Sequence, residues 1–237
     1  MRATRQPVCL ALLTALAGTA TASTLQLEPV SIRLTPTARA AVMQLRNSGS
    51  EPMHVQVRAF RWEQQQGEDR LSATDDLRVS PPIQTIPAGT EQYVRVLLAE
   101  ALLPQGEESF RLIVDELPRA PAADGQVRML IRYSVPVMVR PSGLRAPELR
   151  FRIVHDGDQT LLEAENRGGQ GAQLAEMQFT TADGATIRVN RGLYGYVLAG
   201  QMRRWPLSLP PDAIGRATGI DAHVDGKASR YALEVAR

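Results

Sequence analysis

The sequence predicts an all-β protein of two β-sandwich domains, and three observations carry that prediction. Short stretches rich in Val, Ile, Leu, Thr and aromatic residues alternate apolar and polar side chains at a period of two, which puts one set on one face of an extended strand. Turn chemistry separates them: Asn47-Ser48-Gly49-Ser50, Pro87-Ala88-Gly89-Thr90, Asp156-Gly157, Gly168-Gly169, Asp183-Gly184 and Asp225-Gly226. No segment of the N-terminal half keeps a helical period.

Residues 1–22 read as a targeting segment. Arg2 and Arg5 form a positive n-region, Val8 to Ala17 an apolar h-region, and Ala20-Thr21-Ala22 a small-residue cleavage site. The apolar run is too short to span a bilayer, so the expected product is exported, without stable membrane insertion. Cys9, the single cysteine of the chain, leaves with this segment. The mature chain then has no disulfide and no thiol chemistry. The removed residues carry two of the 27 basic side chains and no acid, so 25 basic groups balance 25 acidic ones. That balance gives no reason to expect a nucleic-acid partner.

The elements follow in order. Leu25 to Leu34 is an alternating strand interrupted by Pro29, which marks an edge or a switch between sheets. Ala41 to Leu45 and His54 to Trp62 read as half-buried strands, Gln64 to Asp69 as a polar loop, and Leu77 to Val79 as a short strand stopped by Pro81-Pro82, where a cis bond is compatible. Tyr93 to Leu98 and Phe110 to Leu117 are strands, and 118–125 is a Pro/Ala/Gly loop. Beyond Pro141 a linker over 142–147 leads to a second set of strands: 148–154, 161–166, 174–180, 186–189, 196–198, 202–207, one about Ile220 and one over 231–235. The expected division is a signal segment 1–22, an N-terminal domain 23–141, the linker, and a C-terminal domain 148–237.

Gln126 to Pro141 is the longest of these runs. Val127, Met129, Ile131, Tyr133, Val135, Val137 and Val139 form an unbroken apolar series on one face of an extended chain. Pro136 cannot donate to a ladder, which suggests an edge. An exposed apolar edge needs a partner to cover it. Two readings stand at this point: a sandwich strand buried in its own core, or an edge offered to another chain.

No catalytic constellation assembles. His54, His155 and His223 stand in unrelated segments without metal-ligand spacing, and Asp156-Gly157-Asp158 lacks the remaining acids of a calcium loop. The glycines near 168 make no phosphate cradle, and no glycine-flanked serine resembles a nucleophile elbow. The expectation is a protein that is not an enzyme and carries no cofactor or metal.

A set of residues in the N-terminal half resembles a known family. They are Asn47 after the second strand, Ser80-Pro81-Pro82 followed by Pro87-Ala88-Gly89, Val94-Arg95-Val96, Phe110-Arg111 through Asp115-Glu116-Leu117-Pro118, and Val139-Arg140-Pro141. In this order they resemble the PapD-like periplasmic chaperones of the chaperone-usher pathway, built from two immunoglobulin-like domains. The resemblance implies a periplasmic chaperone that binds pilus subunits by donor-strand complementation and delivers them to an outer-membrane usher. It implies Val127, Met129, Ile131 and Tyr133 as the donor series. It also implies basic residues that hold the subunit's terminal carboxylate, with Arg33, Arg95, Arg132 and Arg140 as candidates, and an interdomain ion pair between Arg95 and Glu116. Familiar members carry a lysine where this chain has Pro136, and a first-strand arginine near Ser31. These departures resemble the archaic branch, whose subunits are spore-coat-U-like pilins. The competing readings are an exported sandwich that binds carbohydrate or a surface receptor, and a hydrolase with an unrecognised site. Two tryptophans and five tyrosines give the carbohydrate reading little to stack on.

Overall fold

The computed structural model describes residues 25–118 and 129–235, so the targeting segment, most of the Pro/Ala/Gly loop and Val127 lie outside the described residues. The first expected strand is two strands, β1 (Leu25–Glu28) and β2 (Ile32–Leu34), which join different sheets on either side of the cis Glu28–Pro29 bond. Then come β3 (Ala40–Asn47), β4 (Met53–Gln65), β5 (Glu68–Ala73), β6 (Leu77–Ser80), β7 (Ile83–Ile86), β8 (Glu91–Leu98), β9 (Glu108–Leu117) and β10 (Arg132–Val139). One sheet has the order β1-β3-β8-β6, and the other β2-β10-β9-β4-β5 with β7 also against β4.

Alternation decides which side chains fill the space between these sheets. Val55 and Val57 on β4, Phe110, Leu112 and Val114 on β9, and Val94 and Val96 on β8 are all buried in one cluster. Burying side chains of this size contributes about 1.5 to 3 kcal/mol each. Asn47 ends β3 inside that core, its amide donating to the carbonyl oxygens of Glu51 at 2.7 Å and Ile86 at 3.1 Å.

Of the strand expected over 126–141, residues 126–128 lie outside the described residues, 129–131 are irregular, and β10 begins at Arg132. Its antiparallel neighbour β9 ends at Leu117, and the pairing closes with the Glu116 N–H donating to the Ile131 carbonyl at 3.0 Å. The polar loop expected at 64–69 is a hairpin instead: β4 runs to Gln65, Gly67 turns with φ +84°, and β5 returns. β5 shows no burial pattern because every residue in it is exposed.

The second half comprises β11 (Leu149–Asp156), β12 (Gln159–Asn166), β13 (Ala172–Thr181), β14 (Thr186–Arg188), β15 (Leu193–Val197), β16 (Met202–Pro206), the one-turn helix α1 (Pro211–Gly215), β17 (Ala217–Val224) and β18 (Lys227–Val235). The apolar pattern gave no sign of α1, which has Pro210 at its N-cap position and begins at Pro211. Its strands form one sheet, β14-β13-β17-β18-β11-β12-β16 with β15 against β13, curled so that Phe151, Ile153 and Leu162 meet Leu174, Phe179 and Ile220 in one core. Asn166 repeats the role of Asn47, its amide donating to the carbonyl oxygens of Gln170 at 2.8 Å and Val197 at 3.2 Å. Among the described residues no helix is long and apolar enough to cross a membrane.

The two halves are joined by specific contacts. At the hairpin tip the Arg204 N–H donates to the Gly67 carbonyl at 2.9 Å, and the Arg203 guanidinium donates to the same oxygen. The Gln64 side chain accepts from the Leu198 N–H at 3.0 Å and donates to the Tyr196 carbonyl at 2.8 Å. Trp62 and Met138 pack against Leu198 and Tyr196, so Trp62 is buried between the halves.

Candidate functional site

β10 carries the site because its two flanks are treated differently. One flank pairs with β9 along its whole length, while the other meets β2 only from Val137 to Val139. In an antiparallel ladder, main-chain groups alternate in direction. The bond to Ile131 assigns the odd-numbered residues to β9, so Arg132, Ser134 and Pro136 turn their main-chain groups toward the other flank. Pro136 lacks an N–H and interrupts donors there just before β2 begins. Ahead of the strand, Met129 is 74% and Leu130 44% exposed, and Ile131 is half-exposed.

The expected donor series divides along this strand. Met129 and Ile131 lie on the exposed approach. Tyr133 does not join them: its hydroxyl donates to the Leu25 carbonyl at 2.6 Å and its ring packs on the N-terminal core. The series turns inward at that residue, since Val135, Val137 and Val139 are buried in the same core.

The outward face of this sheet bears a row of cations. At the upper end Asp115 accepts from Arg132 Nε at 2.5 Å and from Arg58 at 2.7 Å. Burial alone would raise the Asp115 carboxyl, but the hydrogen bonds and charges of these arginines outweigh it and hold it below the usual aspartate range. In the middle, Arg111 stands in register opposite Pro136, its guanidinium 3.7 Å from the centre of the Trp62 ring and 5.1 Å from that of Tyr196. Burial disfavours the charged Arg111 side chain and lowers it from the ordinary arginine value, with Tyr196 and Asp69 opposing in part. Among the described residues it has no ion pair. Beside it opens a cleft between the halves, lined by Arg33, Pro136, Met138, Arg140, Gln173, Tyr196 and the acid Asp225. The Arg33 guanidinium has no ion pair among the described residues either. Tyr196 is common to both: burial raises its hydroxyl, and the positive fields of Arg111 and Arg33 pull it back.

The candidate anchors therefore separate. Arg33 lines the cleft. Arg132 is held by Asp115. Arg140 is engaged by Glu107, whose side chain is fully buried, at 2.5 Å, and it donates to the Gly171 carbonyl at 3.3 Å across the domain boundary. Arg95 is remote: it lies on β8 of the opposite sheet and is exposed between the buried Val94 and Val96. The expected interdomain pair of Arg95 with Glu116 is thereby corrected, because Glu116 lies on β9 beside Val55, at the end away from Glu107. Arg140 and Glu107, both of the N-terminal half, pair with each other and reach the second half through the main chain of Gly171, whose N–H donates to the same carboxylate at 2.7 Å, while an ion pair that itself crosses between the halves is Arg203 with Asp69 at 3.7 Å. Arg111 stood in the family-like stretch but was not singled out. Only strand register reveals that it faces Pro136.

Residues 24–145 match the family model for the N-terminal domain of PapD, described as a pili and flagellar-assembly chaperone. No curated protein sequence gives a significant match. Among solved structures, a chain of the CsuC–CsuE chaperone–tip adhesion subunit pre-assembly complex, from the archaic Csu pili of Acinetobacter baumannii, superposes with a TM-score of 0.71 at 23% identity, covering 91% of this chain and 100% of that one. A chain from the complex of the Salmonella enterica SafA pilin with the SafB chaperone gives 0.61 at 18% identity, covering 90% and 97%. The CupB2 chaperone of Pseudomonas aeruginosa gives 0.58 at 15%, covering 88% and 100%. These likenesses are of fold, the two-domain β-sandwich of pilus chaperones. With the family match over half its length, the chain belongs to the pili and flagellar-assembly chaperones of the PapD type.

Proposed function

We propose that this chain is a periplasmic chaperone of the archaic branch that holds spore-coat-U-like pilins by donor-strand complementation and passes them to an outer-membrane usher. The observation that carries the reading is the half-open flank of β10, with Met129 exposed and Ile131 half-exposed ahead of it. A pilin lacking its last strand would find main-chain partners at Arg132 and Ser134 and apolar side chains for its groove. Its terminal carboxylate would lie between Arg33 and Arg111, two guanidinium groups able to supply charge-assisted donors. The complexes formed by CsuC with a tip subunit and by SafB with a pilin support this assignment of partner.

The test is co-purification from periplasm, with mass spectrometry of the bound pilin and a melting curve on the free chaperone. Ile131→Asp puts a charge into an apolar groove and is expected to lower capture by about a hundredfold or more, while the free protein melts as before. Val42→Asp, an equally simple change at an exposed apolar residue of the other sheet, is expected to leave capture intact. Arg33→Ala and Arg111→Ala are expected to weaken capture. Retention of pilin by Ile131→Asp at the wild-type level would sink the donor-strand reading.

A further inference from the structure

The cation opposite Pro136 is seated by both halves of the molecule. Trp62 of β4 supplies one ring against the Arg111 guanidinium, and Tyr196 of β15 supplies the second. The two rings meet edge-on, 5.4 Å apart at 82°. Tyr196 is itself held from the N-terminal half, since Gln64 brackets its strand by bonding the Tyr196 carbonyl and the Leu198 N–H. From its own half, Gln173 donates to the Tyr196 hydroxyl at 3.2 Å. The guanidinium makes no ion pair among the described residues and only a long 3.5 Å bond to the Ser134 carbonyl, so the two rings contribute most to its direction.

We propose that Tyr196, braced by Gln64, is a positioning residue of the C-terminal half: it aims the Arg111 guanidinium at the carboxylate of a bound subunit, so that capture depends on the docking of the two halves. This rests on the anchor reading given above. Lending the donor edge would need only the N-terminal half. Gripping the carboxylate requires both, and by linkage a bound carboxylate tightens the contact between Trp62 and Tyr196.

The test uses the full chain and the pilin that co-purifies with it. Tyr196→Ala and Gln64→Ala are each expected to weaken pilin capture about tenfold, the range of one partly desolvated cation–π contact. Neither should weaken it further in an Arg111→Ala background, because both act through that guanidinium. Tyr196→Phe, which keeps the ring, is expected to retain capture. With Trp205→Phe leaving Trp62 as the only tryptophan, pilin binding should shift its emission, and Tyr196→Ala should remove most of the shift. Losses that add to that of Arg111→Ala, or full capture by Tyr196→Ala, would overturn the proposal while leaving the anchor standing. If Arg111→Ala captures pilin like the wild type, the anchor reading itself fails, and this inference with it.

Discussion

Asp115 has one carboxylate oxygen on Arg132, at the start of β10, and the other on Arg58 of β4, so it ties the beginning of β10 to the sheet. Its carboxyl is held below the usual aspartate range, and this fixes the sign of its contribution with pH. The contribution is fully present above the unfolded value near 3.9, and it disappears as acidification passes down through the lower folded value. Both arginines remain partly in water, so the amount is on the order of 1 kcal/mol. Asp115→Asn is expected to lower the melting temperature at neutral pH, and the gap from wild type to close between about pH 4 and the folded value. A gap of constant size across that range would mean that the pair contributes nothing. At this scale the sequence was partly legible. Alternation put Met129 and Ile131 on one face and left open whether that face is buried or exposed. The role of Tyr133 was not legible, because a period of two cannot tell where a strand stops facing a partner and starts facing its own core.

The hairpin of β4 and β5 shows how an element is misread when polarity is taken for solvation. Gln64, Gln65, Gln66 and Asp69 look like a wet loop, yet Gln64 is buried against the second half, and Gly67 gives its carbonyl to both Arg203 and Arg204. Composition does not distinguish water from a polar protein surface as the partner of such groups. The strands with one buried face were legible, and β5, exposed along its whole length, was not. Gly67 provides the test. Its φ of +84° already strains any side chain, and a Cβ there would stand 2.7 Å from the Arg204 side chain. Gly89 has φ +70° with open space around it. Gly89→Ala should therefore cost only the left-handed strain, about 1 to 2 kcal/mol. Gly67→Ala should cost more in a denaturant melt, and the difference between the two reports the docking of the hairpin. Equal losses would show that the tip contributes no docking energy.

Across the whole molecule, one junction between the halves is a buried ion pair of the N-terminal half that bonds the main chain of Gly171 in the second. Glu107, at the entrance to β9, is fully buried and accepts both the Arg140 guanidinium and the Gly171 N–H, so one carboxylate engages the end of β10 and the start of β13. A Cβ at Gly171 would fall 2.7 Å from the Glu107 oxygen and would push that carboxylate aside. The sequence could supply Arg140 as a basic residue near the boundary. It could not separate a cation awaiting a ligand from one already neutralised, because Glu107 and Gly171 come together only once both halves have folded. Those two kinds of arginine make opposite predictions. Arg140→Ala strands a buried carboxylate and should destabilise the free protein by about 3 to 5 kcal/mol. It should also broaden the distribution of domain orientations seen by small-angle scattering. Arg33, which lines the cleft and has no ion pair among the described residues, should behave in the reverse way: Arg33→Ala leaves the melting curve and scattering profile unchanged and lowers pilin capture. A double variant, Arg140→Met with Glu107→Gln, removes both charges and should recover much of the stability that Arg140→Ala loses. If Arg140→Ala melts like the wild type but no longer captures pilin, Arg140 belongs with the anchors, and the joint between the halves is held by Gln64, Trp62 and the hairpin tip.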